Sequence, residues 1–142
     1  MKERSSFTVG EQATLTKEIS NGDIWDFARI SGDTNPIHLN HEYASKTMFK
    51  GRIAHGILVT GLISAVVGTI LPGPGSIYLS QQVKFLAPVR PNDVITAWAT
   101  VTAWDEKRGR VTLLTEAINQ DGVIVITGEA VMIMSSFLKK GE

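Results

Sequence analysis

From Ile53 to Val83 the chain carries no Lys, Arg, Asp or Glu, and inside that run Gly56–Leu71 reads GILVTGLISAVVGTIL. A segment this apolar has to be covered by something. It falls short of the roughly 20 residues a bilayer span needs, it holds Thr60, Ser64 and Thr69, and it stops at Leu71-Pro72-Gly73. The pattern predicts a helix buried in protein on nearly every side. With 142 residues, the chain fits a single domain over 1–142, large enough to bury roughly two-thirds of its unfolded surface without a metal or disulfide staple.

Upstream, Phe7 to Ile19 contains a first strand with Ala13, Leu15 and Val9 as its apolar positions. Ser20-Asn21-Gly22-Asp23 reads as a helix start, a Ser cap with an acid three residues on. Ile24, Phe27, Ala28 and Ile30 or Ser31 follow at helical spacing, and the helix is expected to fail near Gly32. Asp33-Thr34-Asn35-Pro36 is turn chemistry, because Pro36 disfavours helix at Asn35 and Asp or Asn side chains satisfy turn amides. A short helix over 40–47 and an irregular Phe49–Ala54 lead into the apolar segment.

Downstream the period changes to two. Ser76–Leu86 places Ile77, Leu79, Val83 and Phe85 on one face. Val94–Trp104, Arg110–Asn119 and Val123–Met134 read as three more strands, joined by short polar turns into antiparallel hairpins. In Val94–Trp104 the small set Ile95, Ala97, Ala99, Val101 and Ala103 leaves room for a helix, while Trp98 and Trp104 take the opposite face. A curved antiparallel sheet wrapped around one apolar helix is the hot-dog arrangement, an α+β fold. Its open edge and apolar face predict a homodimer.

Composition removes several function classes. Lys+Arg and Asp+Glu balance at 14 each, which is no footprint for a nucleic acid. Zero cysteines exclude thiol nucleophiles, iron–sulfur clusters and thiolate zinc sites, and are compatible with a reducing, cytoplasmic setting. The start MKERSSFTVGEQ has no apolar stretch behind its basic residues, so neither a signal peptide nor a membrane partner is expected. Neither G-x-x-x-x-G-K-[ST] nor G-x-G-x-x-G occurs, so no phosphate-cradling loop is encoded, and no cofactor is expected.

The chemistry concentrates in one place. His38, His41 and His55 all lie between the first helix and the start of the apolar one. Asp33 and His38 stand five residues apart across a proline-stiffened turn, able to aim a carboxylate and an imidazole at one water. By itself that string also reads as an Asx turn beside a partly buried histidine. What adds weight is Arg52-Ile53-Ala54-His55-Gly56, which opens the apolar helix. The first amides of a helix are unpaired and carry the positive end of its dipole, and Gly56 lets an oxygen approach them closely. His41 follows Asn40 and is expected to face solvent. Three histidines raise the question of a metal, but no carboxylate completes a clear ligand set and no metal site is expected.

FARISGDTNPIH, Phe27 to His38, followed by His55-Gly56-Ile57-Leu58, resembles the hydratase 2 motif of the MaoC-like family, and within it the short bacterial (R)-specific enoyl-CoA hydratases. The likeness continues through Gly73–Leu79, Val83–Val89, Asp93–Ile95 and Thr127–Ala130, so it covers roughly 7–134. It implies a hot-dog fold, commonly homodimeric, and reversible syn addition of water to a trans-2-enoyl-CoA giving the (R)-3-hydroxyacyl-CoA. Carried over by motif position, Asp33 and His38 are the catalytic pair, with Asp33 as base toward water and His38 as donor to carbon. Asn35 holds water or substrate, the Gly56 amide receives the thioester oxygen, and Ser64 supports Asp33. An acyl tail would run along Ile57, Leu62 and Val67, with Lys84, Arg90 or Arg52 meeting the phosphates of the CoA partner. Dehydration of hydroxyacyl groups on acyl carrier protein, thioester hydrolysis and non-catalytic acyl-CoA binding remain as other readings. The destination of the product, polyhydroxyalkanoate synthesis, β-oxidation or another fatty-acid pathway, is left open.

Overall fold

Capping residues punctuate the first half of the chain. In the computed structural model, which describes residues 3–138, β1 (Gln12–Glu18) is followed by Ser20, whose hydroxyl accepts from the Asp23 amide at 3.0 Å while the Asp23 carboxylate accepts from the Ser20 amide at 2.9 Å. This reciprocal cap starts α1 (Asn21–Ser31), and Gly32, in the left-handed region at φ 80°, ends it. Val9 lies outside β1 in an exposed turn. Two short helices replace the single one expected over 40–47. The Asn35 side chain caps α2 (Pro36–Leu39), and the Asn40 side chain caps α3 (His41–Ser45). Each Asn satisfies an amide that the next turn leaves unpaired.

The long helix is α4 (Gly56–Thr69). Its β-branched residues and glycines are indifferent helix formers, each costing up to about 0.7 or 1 kcal/mol against Ala. Burial decides the matter. Val59, Ile63, Val66 and Val67 are fully covered, and each such side chain contributes roughly 1.5–3 kcal/mol on leaving water.

The cover is a five-stranded antiparallel sheet in the order β1-β3-β4-β5-β2, with β2 Ser76–Phe85, β3 Val94–Asp105, β4 Arg110–Ile118 and β5 Ile124–Met134. The helix packs against β1, β2, β3 and β4. Ile95, Ala97, Ala99 and Val101 of β3 are buried beneath it, the small alanines permitting close approach. This is the expected hot-dog architecture, α+β.

Three details depart from the sequence reading. First, α4 is not enclosed within one chain. Ile57, Gly61, Ser64 and Gly68, spaced at one helical face, are exposed, because the sheet curls around one side only. Second, an extra residue at Thr102 shifts the β3–β4 register, so Ala103 turns outward. Trp104 turns inward instead, against Phe7 at a ring-centroid distance of 5.2 Å. Third, Leu79 is the extra residue between Tyr78 and Ser80 in the β2–β5 pairing. The bulge puts Tyr78 opposite the buried Met132, so Tyr78, Gln81, Val83 and Phe85 share the helix-facing side, not Ile77 and Leu79. Since side chains alternate with period two, one inserted residue reverses every assignment beyond it.

Candidate active site

Local hydrogen bonds build the Asp33 turn. Beyond Gly32, the Ser31 hydroxyl accepts from the Asp33 amide at 3.0 Å, and Asp33 Oδ1 accepts from the Asn35 amide at 3.2 Å. Asn35 Oδ1 accepts from the Ile37 amide at 3.2 Å. Asp33 and Asn35 are exposed within the single chain.

His38, on the one-turn α2, is 9% exposed and is held from a distance in sequence. Its Nδ1 donates to the Ile53 carbonyl at 2.7 Å. A carbonyl oxygen can only accept, so the hydrogen sits on Nδ1 and Nε2 is left for chemistry. Burial holds the imidazole below the ordinary histidine range. The bond to Ile53 pushes back, His55 adds to the lowering, and the Asp33 carboxylate opposes it.

Two arginines fix the strand of chain that supplies this anchor. Arg52 Nε donates to the His38 carbonyl at 2.7 Å and its Nη2 donates to Asn21 Oδ1 at 2.5 Å. Arg90 donates to the carbonyls of Gly51, at 3.1 Å, and of Phe49. Two nitrogens of each guanidinium are thus engaged by the protein itself, at the residues that the sequence reading offered as CoA contacts. These bonds satisfy the Asn21 side-chain oxygen and the carbonyls of Phe49, Gly51 and His38, backbone groups that need a partner when buried.

His55 caps α4 without a side-chain hydrogen bond to the helix. Its Nε2 instead donates to the Asp33 carbonyl at 2.9 Å. The rings of His38 and His55 stack at 3.9 Å and 30°. One ring nitrogen of each and a carboxylate oxygen of Asp33 lie within 4.8 Å of one another. His55 Nε2 is committed as a donor to the Asp33 carbonyl and His38 Nδ1 as a donor to the Ile53 carbonyl, so one ring nitrogen of each carries the lone pair. A carboxylate and an imidazole this close can share one water.

Gly56 follows at the first helical position, its amide among those a helix leaves unpaired. The reason for glycine is sharper than simple access. A Cβ at Gly56 would come within 2.5 Å of Phe85 Cε1 and 2.7 Å of Cδ1. Phe85 therefore lies directly over this turn. His38, Gly56, Ile57 and Phe85 border a cavity of about 350 Å³, closed elsewhere by Phe49, Val59 and the Leu86–Val89 segment.

The structure thus brings together Asp33, His38 and, through backbone and cavity, Gly56 and Ile57. Asn35 joins them through its amide on Asp33 Oδ1, whereas Leu62, Val67, Lys84 and Ser64 lie elsewhere. Val67 is fully buried in the core, and Leu62, buried too, borders a separate cleft of about 200 Å³ beside Phe27 and Leu58. Val67 packs into the core, whereas Leu62 turns toward α1, and neither borders the cavity beside His38. Lys84 pairs with Thr127 and alternates away from the helix. Ser64 lies about 12 Å along the helix axis from Gly56, and among the described residues no hydrogen bond joins it to Asp33. Its neighbour is Tyr78, whose phenol burial pushes up against the opposing effect of the Ser64 hydroxyl. His41 is exposed, as expected. Sequence reasoning named Phe85 only as a strand position, Phe49 only as the start of an irregular segment, and His55 only as part of the motif before Gly56. A histidine immediately before Gly56 was the available signal.

This site on this fold defines the class. Residues 6–121 match the family model for the MaoC like domain, and the chain belongs to that family. It is 51% identical over 125 residues to the (R)-specific enoyl-CoA hydratase of Rhodospirillum rubrum, covering 88% of this chain and 86% of the relative. It is 47% identical over 124 residues to the 3-hydroxybutyryl-CoA dehydratase of Methylorubrum extorquens, covering 87% and 78%. Among solved structures, the (R)-hydratase of A. caviae involved in PHA biosynthesis superposes with a TM-score of 0.88 at 40% identity, covering 92% of this chain and 99% of that one. Among the described residues no helix is long and apolar enough to cross a membrane.

Proposed function

We propose that this protein is an (R)-specific enoyl-CoA hydratase, a hydro-lyase that adds water reversibly to trans-2-enoyl-CoA. The observation that carries the reading is the meeting of His38 and Gly56 on one cavity, with the Asp33 carboxylate beside them. Binding alone would need no such pair.

The thioester carbonyl oxygen lies against the Gly56 amide, where the positive end of α4 stabilises enolate charge. One water sits between His38 Nε2 and the Asp33 carboxylate, with the Asn35 NH₂ in reach as a further donor. Because burial favours the neutral imidazole, His38 Nε2 takes a proton as the water oxygen bonds to C3. The electron pair of the C2–C3 double bond becomes the C1–C2 bond of the enolate as the carbonyl pair moves onto the thioester oxygen. As the carbonyl re-forms, Nε2 returns the proton to C2 on the same face, giving syn addition and leaving His38 as it began. Asp33 accepts the water's second hydrogen in a hydrogen bond and orients the attack. This division differs from one in which Asp33 is the base, since a carboxylate needs a protonated partner imidazole that burial disfavours. General acid–base groups contribute about 10²–10⁴-fold.

The test is direct. The purified protein should abolish the conjugated-enoyl absorbance of crotonyl-CoA without releasing thiol, and the product should be the (R)-3-hydroxy isomer by chiral chromatography. Thiol release, or unchanged absorbance with crotonyl and longer enoyl chains, would reject the proposal.

The same reading includes a homodimer. Ile57 is 59% exposed on α4, and Phe85, Leu86, Leu79 and Ile77 leave an apolar margin along β2, a ten-residue edge strand. Unpaired edges of this length are normally covered, and a second copy supplies both a matching edge and a matching helix face. Sedimentation equilibrium should give twice the chain mass, and Leu79→Lys should lower it to one.

A further inference from the structure

Among the groups outside the proposed chemistry, His55 is the most constrained. It is 2% exposed, and its Nδ1 has no hydrogen-bond partner among the described residues. An unpaired buried ring nitrogen is unfavourable, and an apolar ring would fill the same space without it. Packing therefore does not account for an imidazole here. The other nitrogen does, because Nε2 donates to the Asp33 carbonyl across 22 residues of sequence at 2.9 Å. The ring itself lies between Phe27, at a centroid distance of 4.8 Å, and His38, at 3.9 Å.

We propose that His55 is a positioning residue which sets both partners of the proton-transfer pair at once, pinning the Asp33 turn through its Nε2–H and supporting the His38 ring by stacking. The proposal rests on the hydratase reading above. One rigid imidazole at the head of α4 thereby ties the turn, the base and the amide at Gly56 into a single frame, so that the water and the thioester oxygen keep a constant relation. The groups facing His38 are the Asp33 carboxylate from the turn, the His55 ring from α4, the Ile53 carbonyl and, on its own backbone oxygen, Arg52. Of these His55 and burial oppose protonation of His38. Replacing His55 by Phe keeps a ring in the stack, removes the donor to Asp33, and offers a π-face to a charged imidazole.

The variants are His55→Phe and His55→Gln, the second placing an amide N–H near the position of Nε2. The expected result for His55→Phe is a fall in kcat of tenfold or more with KM within threefold, and an acid limb of kcat/KM moved to higher pH. His55→Gln should recover part of kcat. The His38 imidazole titration, followed by NMR, should move upward in His55→Phe in the absence of any substrate. A folded His55→Phe with unchanged kcat and unchanged titration would overturn the proposal. So would an activity loss that merely tracks the folded fraction. If His55→Phe does not fold, the same titration of His55→Gln decides, and an unshifted His38 rejects the idea. If the unsubstituted protein hydrates no enoyl-CoA, the functional reading fails while the titration still judges the positioning role.

Discussion

Asp33 and His38 are five residues apart, yet they are held in opposite ways. Asp33 sits exposed in a turn closed by its near neighbours Ser31 and Asn35. His38 is buried and anchored by Ile53, Arg52 and His55, which lie 14 to 17 residues further on. The His55 bond to the Asp33 carbonyl brings distant support to the turn, as the bond of the His38 amide to the Asn35 carbonyl at 3.0 Å brings local support to the histidine. The contrast suits a pair with different tasks. A carboxylate that orients water works while hydrated, whereas an imidazole that must give and take a proton needs a fixed ring, a fixed tautomer and a dry side.

The comparison can be broken most severely at the groups themselves. His38→Ala and Asp33→Asn should each lower kcat at least about 10²-fold in steady-state assays with crotonyl-CoA, with circular dichroism unchanged. Near-normal turnover by either would remove the pair from the mechanism. Gly56→Ala comes next. Its Cβ must displace the Phe85 ring, and a shift approaching 1 Å at the thioester oxygen can cost about 10²-fold in kcat/KM. Adding Phe85→Leu to that variant should restore part of the loss if the clash is the cause.

Smaller effects sharpen the contrast between near and distant support. Arg52→Ala removes a charged donor from the His38 carbonyl, a bond of about 1.5–3 kcal/mol, so kcat should fall about tenfold or more. Ser31→Ala removes a neutral acceptor from an exposed turn and should change kcat only a few-fold. Equal effects would erase the distinction between the two modes of support. The pH profile belongs to the same test. With His38 acting as base and its proton affinity lowered by burial, kcat/KM should stay high on acidification past the ordinary histidine range. It should decline only as the imidazole protonates at lower pH. Mildest of all, Ser20→Ala should cost about 1 kcal/mol of stability in urea unfolding through loss of the α1 cap, with kcat unmoved.

Much of this was legible in the sequence because it depends on neighbours. The Ser20–Asp23 cap, the stop at Gly32, the Pro36 turn and the strand boundaries are local, and each lies where its residues predict. Asp33 and His38 were legible as candidates because a proline-stiffened turn sets them five residues apart, but the bonds that fix His38 and reach Asp33 come from Arg52, Ile53 and His55. The misreadings share a different origin. Trp104 and the faces of β2 were misassigned because bulges at Thr102 and Leu79 arise from pairing with another strand, which no local pattern contains. Arg90, Leu62 and Val67 looked available for a ligand because composition does not say which donors or which helix face the fold has already consumed.

By itself the sequence determined the elements, the central apolar helix and the acid–imidazole turn before it, because short-range sterics and hydrogen bonding act over a few residues. The tertiary structure alone decided which side of α4 lies open, that two arginines secure the backbone around His38 while Phe85 covers Gly56, and that His55 reaches Asp33. Those relations join residues far apart in the chain, and their geometry exists only once the sheet has curled around the helix.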